Sequence, residues 1–489
     1  MAFRLIVGLL YLIIGYTQTA SIGGSSKDYD TIVIGLGSAG TTAASTLARA
    51  GRRVLALEAQ DRVGGRVHTV PFGDGIMELG AEWIHGTKSS RVYELALQNN
   101  FTVLPQDFEP KLYYGFKGKE VDGVLFMELI NYALKVQGET PSEPLPLGQF
   151  ITDRVFDYLK EKHPSVLMDK EFLNQYLHFI DTMVDSNEGT TCWNETTTAS
   201  EYEELEGNQY MSWHRLGYKT FFDVLLNKHN NGSGLPTLDI ELKKEVTKIT
   251  WSQDPTKKVE VRCKDGSTYT ADNVIITVSL GVLKERHETL FLPHLNEEKT
   301  TAIDKMSIGV VGKIVLLYSE KWWPQSNAFG FIWTLEEEQK LPDEDKWLYN
   351  VTNASETMGN TNSLVFWSCG NTAKLIETLP DDLVKRKVTE LLRKFIGPHI
   401  NTTIPEPVAM LRTYWHTNPY TRGTYTYDNL LTPQYPTARS DLAEPITDSS
   451  GNPRILFAGE ATNSIHFGTV HGASETGFRE ATRLLQKSS

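Results

Sequence analysis

Of 489 residues only three are cysteine, Cys192, Cys263 and Cys369, and no CxxC pair occurs. Three cysteines cannot build a disulfide framework and allow one bridge at most. Cys263 and Cys369 sit in strand-like runs and read as small packed hydrophobes. With no HExxH and no zinc-ligand spacing either, no metal site is expected. Positive charge is also in deficit. Lys and Arg number 48 against 61 Asp and Glu, a net −13, which argues against a nucleic-acid partner or an anionic membrane surface. An acidic surface instead suits a cationic small molecule. Internal repeats, low-complexity tracts and long linkers are missing, which excludes solenoids and bead-like arrays.

Long hydrophobic runs are scarce, and the clearest stands at the start. Arg4 precedes LIVGLLYLIIGY, and residues 1–20 read as a secretory signal whose apolar run is too short to span a bilayer comfortably. An uncleaved anchor is the alternative, since neither Thr19 nor Ala20 completes a clean A-x-A cleavage site. Six N-x-S/T sequons, at Asn100, Asn194, Asn231, Asn350, Asn353 and Asn401, agree with a secreted glycoprotein. The expected location is extracellular or in the secretory lumen, without stable membrane insertion.

What the chain does have is glycine in a telling order. Residues 31–40, TIVIGLGSAG, run from an apolar strand into Gly35-x-Gly37-x-x-Gly40, with Ser38 and Ala39 opening the helix-like TTAASTLARAG. The first glycine makes a tight turn, and the second lets backbone approach a pyrophosphate. The third lets helix pack on strand, while the helix N-terminus faces the anion. Glu58 ends the next apolar run, RRVLALE, just before Ala59, where a carboxylate accepts ribose hydroxyls. A second glycine pair, Gly64-Gly65, lies between Arg62 and Arg66. A nicotinamide dinucleotide needs no such element, whereas FAD's pyrophosphate can use an added arginine and backbone amides.

These motifs, with MELGAEWIHG at 77–86, NVIITVSLGVL ending at 283, GVVGKIVLLY at 309–318, YWHTNPYTRGTYTY at 414–427 and ILFAGEATNSIHFGTVHGASETG at 455–477, span nearly all of the chain after residue 28. Through them the chain resembles the flavin amine oxidases, and within that family the animal polyamine and spermine oxidases. The implied fold is α/β, a discontinuous Rossmann-like FAD-binding domain with an interleaved α+β substrate domain. The FAD domain is expected from 28–95, 214–290 and 406–489, the substrate domain from 96–213 and 291–405. Helical spacing dominates 120–185, and a hairpin is expected at Asp265-Gly266.

A lysine in an apolar strand ordinarily sits at an edge and reaches solvent. The resemblance gives Lys313 of GVVGKIVLLY another role, hydrogen-bonded through water to flavin N5, orienting water and assisting reoxidation by oxygen. It places Val246 at the adenine, Gly80, Ala81, Glu82, Trp83 and Trp415 around the cofactor, and Gly459 and Glu460 at the ribityl chain. Thr469 and Val470 would present a helix N-terminus to flavin N1 and O2. His85 would lie near the substrate amine, and Tyr427 would form the wall beside the flavin with Thr469 facing it. Thr424 stands where monoamine oxidases carry the cysteine that attaches flavin, so non-covalent FAD is implied. Glu201, Glu203 and Glu204 would either meet a distal ammonium or form a solvated loop.

The implied reaction oxidises spermine, spermidine or their N-acetylated forms at a secondary-amine carbon by hydride transfer to flavin N5. Imine hydrolysis then gives an aldehyde and a shorter amine, and dioxygen is reduced to hydrogen peroxide. Two alternatives stand beside it: a secreted L-amino acid oxidase, whose carboxylate-gripping arginine is missing from GAEWIHG, and a non-catalytic secreted flavin-binding protein. Oligomeric state is not legible.

Overall fold

The strand Tyr29–Ile34 is buried on both faces and pairs in parallel with Val54–Leu57 on one side and Thr268–Ile276 on the other. Leu238–Glu241 adds beyond Val54–Leu57, and Pro453–Phe457 adds beside Thr268–Ile276, both in parallel. Runs rich in Val, Ile and Leu suit this arrangement, because a parallel sheet is covered on both faces. In this computed structural model, which describes residues 28–107, 109–400 and 403–486, one sheet thus gathers strands from the beginning, middle and end of the chain. The expected signal at 1–20 and the sequon at Asn401 lie outside the described residues. Val246–Thr250 and Val259–Cys263 extend the sheet antiparallel, and Gly266 at φ +87° turns the chain into Thr268–Ile276.

Two helices, Ser38–Arg49 and Val470–Gln486, cross on this sheet. They approach so closely that a Cβ at Gly477 would lie 2.0 Å from the Ala39 carbonyl oxygen. Thr42 and Ser474 share a hydroxyl hydrogen bond of 2.9 Å across the same contact. The last helix therefore locks the first, and both begin at the ligand-facing edge of the parallel strands.

A second sheet of six strands runs in the order Ala409–Arg412, Val311–Leu317, Ser363–Cys369, Asn353–Glu356, Ala328–Ile332, Leu112–Gly115. It is antiparallel except for its last pair. Helices Gly123–Gln137, Leu147–Lys162 and Lys170–Glu188 pack around Phe126, Leu129, Ile151, Tyr176 and Phe179. Asp122 and Asp169 cap Gly123–Gln137 and Lys170–Glu188 by accepting from the Leu125 and Phe172 amides, and Gly189 at φ +78° ends Lys170–Glu188. All three cysteines are free. Among the described residues no helix is long and apolar enough to cross a membrane, and no cluster suits a metal ion.

Candidate active site

A cavity of about 960 Å³ is lined by Gly35, Gly37, Ser38 and Ala39 of the glycine turn and also by residues of the helical region, among them Gln137, Met183 and Glu188. Gly35 turns the chain at φ +94°. Gly40 does not line the cavity: a Cβ there would lie 2.0 Å from the Gly35 carbonyl oxygen, so its absence lets helix meet turn. At Gly37 and Gly459 an added Cβ would meet nothing closer than 3.9 Å, so backbone is open to a ligand at both.

Glu58 lines the cavity with its carboxylate held by the Leu36 amide at 2.7 Å and the Gln60 amide at 2.9 Å. Burial raises its pKa, and these two amides and Arg62 counter part of that. Ala59, Gly65, Gly80, Ala81, Val246 and Val470 are also in the wall. Arg62 is not, which corrects the sequence expectation. Its guanidinium is spent on the carbonyls of Gly65 at 2.7 Å and Val67 at 3.0 Å, fixing the loop rather than meeting a phosphate. Arg66 does line the cavity and pairs with Glu460 at 2.8 Å.

Glu460 is buried, and its carboxylate also accepts the Thr426 hydroxyl at 2.7 Å and the Gly468 amide at 3.0 Å. Burial alone would raise its pKa, but Arg66, Thr426 and Arg439 outweigh that and hold it below the ordinary value. Ser38 donates to the Val470 carbonyl at 2.8 Å, and the Thr469 hydroxyl accepts the Gly472 amide at 3.0 Å. The first and last helices thus start together at the cavity. Trp415 joins them through Nε1 to the Leu79 carbonyl at 3.3 Å.

Lys313 is not an edge lysine. Its strand, Val311–Leu317, pairs on both sides, and its side chain is 4 % exposed inside the cavity wall. Nζ donates to the Glu78 carbonyl at 2.9 Å, the Gly80 carbonyl at 3.1 Å and Glu82 Oε2 at 2.8 Å, and lies 4.6 Å from the Trp367 ring centre. Glu82 therefore faces the lysine, a pairing that sequence reasoning missed. Its only signal was an acid inside GAEWIHG.

Tyr427 requires a second correction. It lies outside the cavity wall, in the two-residue strand Thr426–Tyr427 paired to Ser307–Ile308. Tyr425 lines the cavity instead, anchored by its hydroxyl to the Ser186 carbonyl at 2.7 Å. Thr424 is also in the wall, its hydroxyl donating to the Gly309 carbonyl at 3.0 Å. His85 lines the cavity with its ring 6.4 Å from that of Tyr210. Burial lowers its pKa, with the Gln209 backbone opposing, so the neutral imidazole is favoured. Glu204 is in the wall, whereas Glu201 and Glu203 are exposed outside it.

The family of flavin-containing amine oxidoreductases matches over residues 38–485. This chain belongs to that family. It is 30 % identical to a Bos taurus peroxisomal N(1)-acetyl-spermine/spermidine oxidase, covering 93 % of this chain and 94 % of the relative. The Homo sapiens protein of the same name is 29 % identical over 96 % of this chain and 97 % of its own length. A probable polyamine oxidase 5 of Arabidopsis thaliana is 26 % identical over 93 % of this chain and 98 % of its own. This amine oxidoreductase accordingly uses a flavin to oxidise small-molecule amines with dioxygen. The residues present fit that cofactor. The open backbone at Gly37 and Gly459 suits a pyrophosphate, Glu58 a ribose, and Arg66 with two helix N-termini an anionic dinucleotide.

Proposed function

We propose that the substrate is a polyamine, spermine, spermidine or an N-acetylated form, and that FAD is held non-covalently. The observation carrying the substrate class is the charge of the cavity wall. Away from the dinucleotide turn it includes Glu109, Glu188 and Glu204, which form no ion pair among the described residues, besides Glu139 and Asp428, which are paired with Arg154 and Arg439. The two arginines in the wall are each tied to a carboxylate, Arg66 to Glu460 and Arg286 to Glu245, both at 2.8 Å. Such a wall attracts ammonium groups, and with Arg66 assigned to the dinucleotide and Arg286 held by Glu245 it leaves no guanidinium for an amino acid carboxylate. That disfavours the L-amino acid oxidase alternative.

A flavin held here would supply the redox chemistry, two electrons from the amine to dioxygen, which with two protons gives hydrogen peroxide. The protein's own residues supply the rest. The reacting nitrogen must be neutral to support loss of hydride from its neighbouring carbon, and deprotonating an amine of pKa near 10 at neutral pH costs about 4 kcal/mol. Tyr425, Trp367 and Phe467 give the wall apolar surface that would exclude water from the bound amine, and desolvation favours its neutral form. Neutral His85 can accept a hydrogen bond from the amine or hold the water that adds to the C=N bond. Cleavage of the resulting C–N bond leaves an aldehyde and a shorter amine.

Glu188 is suited to the distal ammonium. It ends the helix Lys170–Glu188, accepts from Gln137 Nε2 at 3.1 Å and forms no ion pair among the described residues. Burial pushes its pKa up to about 7, Gln137 lowers it slightly, and Asp428 adds to the rise. As pH rises through that value the carboxylate forms and its attraction for an ammonium appears, so KM for spermine falls. Hydrogen bonds to charged groups contribute about 1.5–3 kcal/mol. Glu188→Gln should therefore raise KM for spermine by about tenfold or more at alkaline pH, leave kcat nearly unchanged and flatten the dependence of KM on pH. Steady-state kinetics across that range check this. An unaltered KM and pH profile would remove Glu188 from the substrate path.

A further inference from the structure

The Lys313 ammonium has three N–H bonds, and each has an acceptor within 3.1 Å. Two of these are main-chain carbonyls, of Glu78 and Gly80, and neither can move without the segment that carries it. The third, Glu82, is a side chain and the only charge among them. Its other oxygen accepts from Gln106 Nε2 at 3.1 Å, and Gln106 Oε1 accepts from Trp83 Nε1 at 3.0 Å. Trp83 stacks on Trp367 with ring centres 5.7 Å apart, and Trp367 lies against the ammonium. The five side chains close a ring around one buried charge pair, whose members are only 4 % and 8 % exposed. Both members also line the cavity.

With three acceptors in place, Lys313 has no N–H left for a water in the cavity. A donor becomes free only when an acceptor lets go, and Glu82 is the one able to do so. Its carboxylate also balances the ammonium, and removing one partner of a buried pair leaves a charge that the surroundings cannot solvate.

We propose that Glu82 is a positioning residue that acts through Lys313. It supplies the counter-charge and the one displaceable acceptor, so that Lys313 meets dioxygen at the cofactor as half of an ion pair rather than as a free cation. This rests on the amine oxidase reading above, and it adds a role for Glu82 that the family's cofactor motifs do not require.

The test compares Glu82→Gln, Lys313→Met and both together, as flavin-loaded protein. Cofactor reduced anaerobically by titration with one equivalent of dithionite, without any amine, is mixed with oxygen and its reoxidation followed, and thermal unfolding is measured on the same samples. Expected is reoxidation about tenfold slower in Glu82→Gln, the scale for disturbing one proton-handling group, and no further slowing when Glu82→Gln is added to Lys313→Met. Unfolding temperatures should be equally non-additive, the double variant melting no lower than Lys313→Met. Normal reoxidation in Glu82→Gln, or additive effects in the double variant, would overturn the proposal. Should Glu82→Gln not fold, Glu82→Met with Lys313→Met replaces the pair by apolar groups, which buried sites tolerate. That protein should reoxidise like Lys313→Met alone, and a further loss would equally contradict the role. Because dithionite replaces the amine as reductant, a wrong substrate class leaves this test intact.

Discussion

Lys313→Met should give a yellow protein whose turnover is about ten- to a thousandfold below wild type, the scale for losing one positioned proton-handling group. Methionine keeps the length of the side chain and removes the ammonium. The strand around Lys313 is paired on both sides, so the backbone has no reason to move. What changes is local: Glu82 loses its counter-charge and the Glu78 and Gly80 carbonyls lose a donor. Breaking a buried pair costs roughly 3–5 kcal/mol, so a lower unfolding temperature should accompany the kinetic loss. Stopped-flow measurement of reduction by amine and of reoxidation by oxygen locates the damage. Wild-type rates in both halves would leave Lys313 a purely structural charge.

The second large effect is expected at Gly40. A Cβ there falls 2.0 Å from the Gly35 carbonyl oxygen, 2.7 Å from Thr277 Oγ1 and 3.0 Å from the Gly35 carbonyl carbon. Backbone cannot swing aside as a side chain can, so helix and turn must separate, and with them the open amides at the cavity. Gly40→Val should be purified colourless or fail to accumulate, whereas wild type should be yellow. Acid precipitation of the wild type should release the colour to the supernatant, because Thr424 has no sulfur to form a thioether. A flavin-loaded Gly40→Val would contradict the packing role, and colour staying with the precipitate would contradict non-covalent binding.

The parts of the site legible in sequence are those set by local chain geometry. The glycine turn, Glu58 at the end of its strand, and Glu460 ahead of the last helix each depend on a few neighbouring residues. Their spacing therefore carried them into the cavity wall. The parts not legible depend on where distant segments meet. Tyr425 and Tyr427 stand two apart and share a strand face by alternation, so pattern alone cannot separate them. Pairing of Thr426–Tyr427 with Ser307–Ile308 decides which one reaches the cavity. Arg62 and Arg66 flank the same glycine pair, and only the path of the loop turns one onto carbonyls and the other into the wall. Glu82 meets Lys313 across 231 residues of chain, a contact that no local spacing encodes. Glu188 ends a helix whose sequence reads only as amphipathic.

The central claim is that this amine oxidase acts on a polyamine chain, and peroxide production across a small panel of amines tests it most directly. Spermine, spermidine, N1-acetylspermine, leucine, phenylalanine and benzylamine are compared at equal concentration. The acidic wall with its paired arginines predicts the highest rate on one of the three polyamines and negligible rates on the other three. The best rate should rise from neutral pH towards about 9 as the reacting nitrogen loses its proton. Highest activity on leucine, phenylalanine or benzylamine would contradict the account.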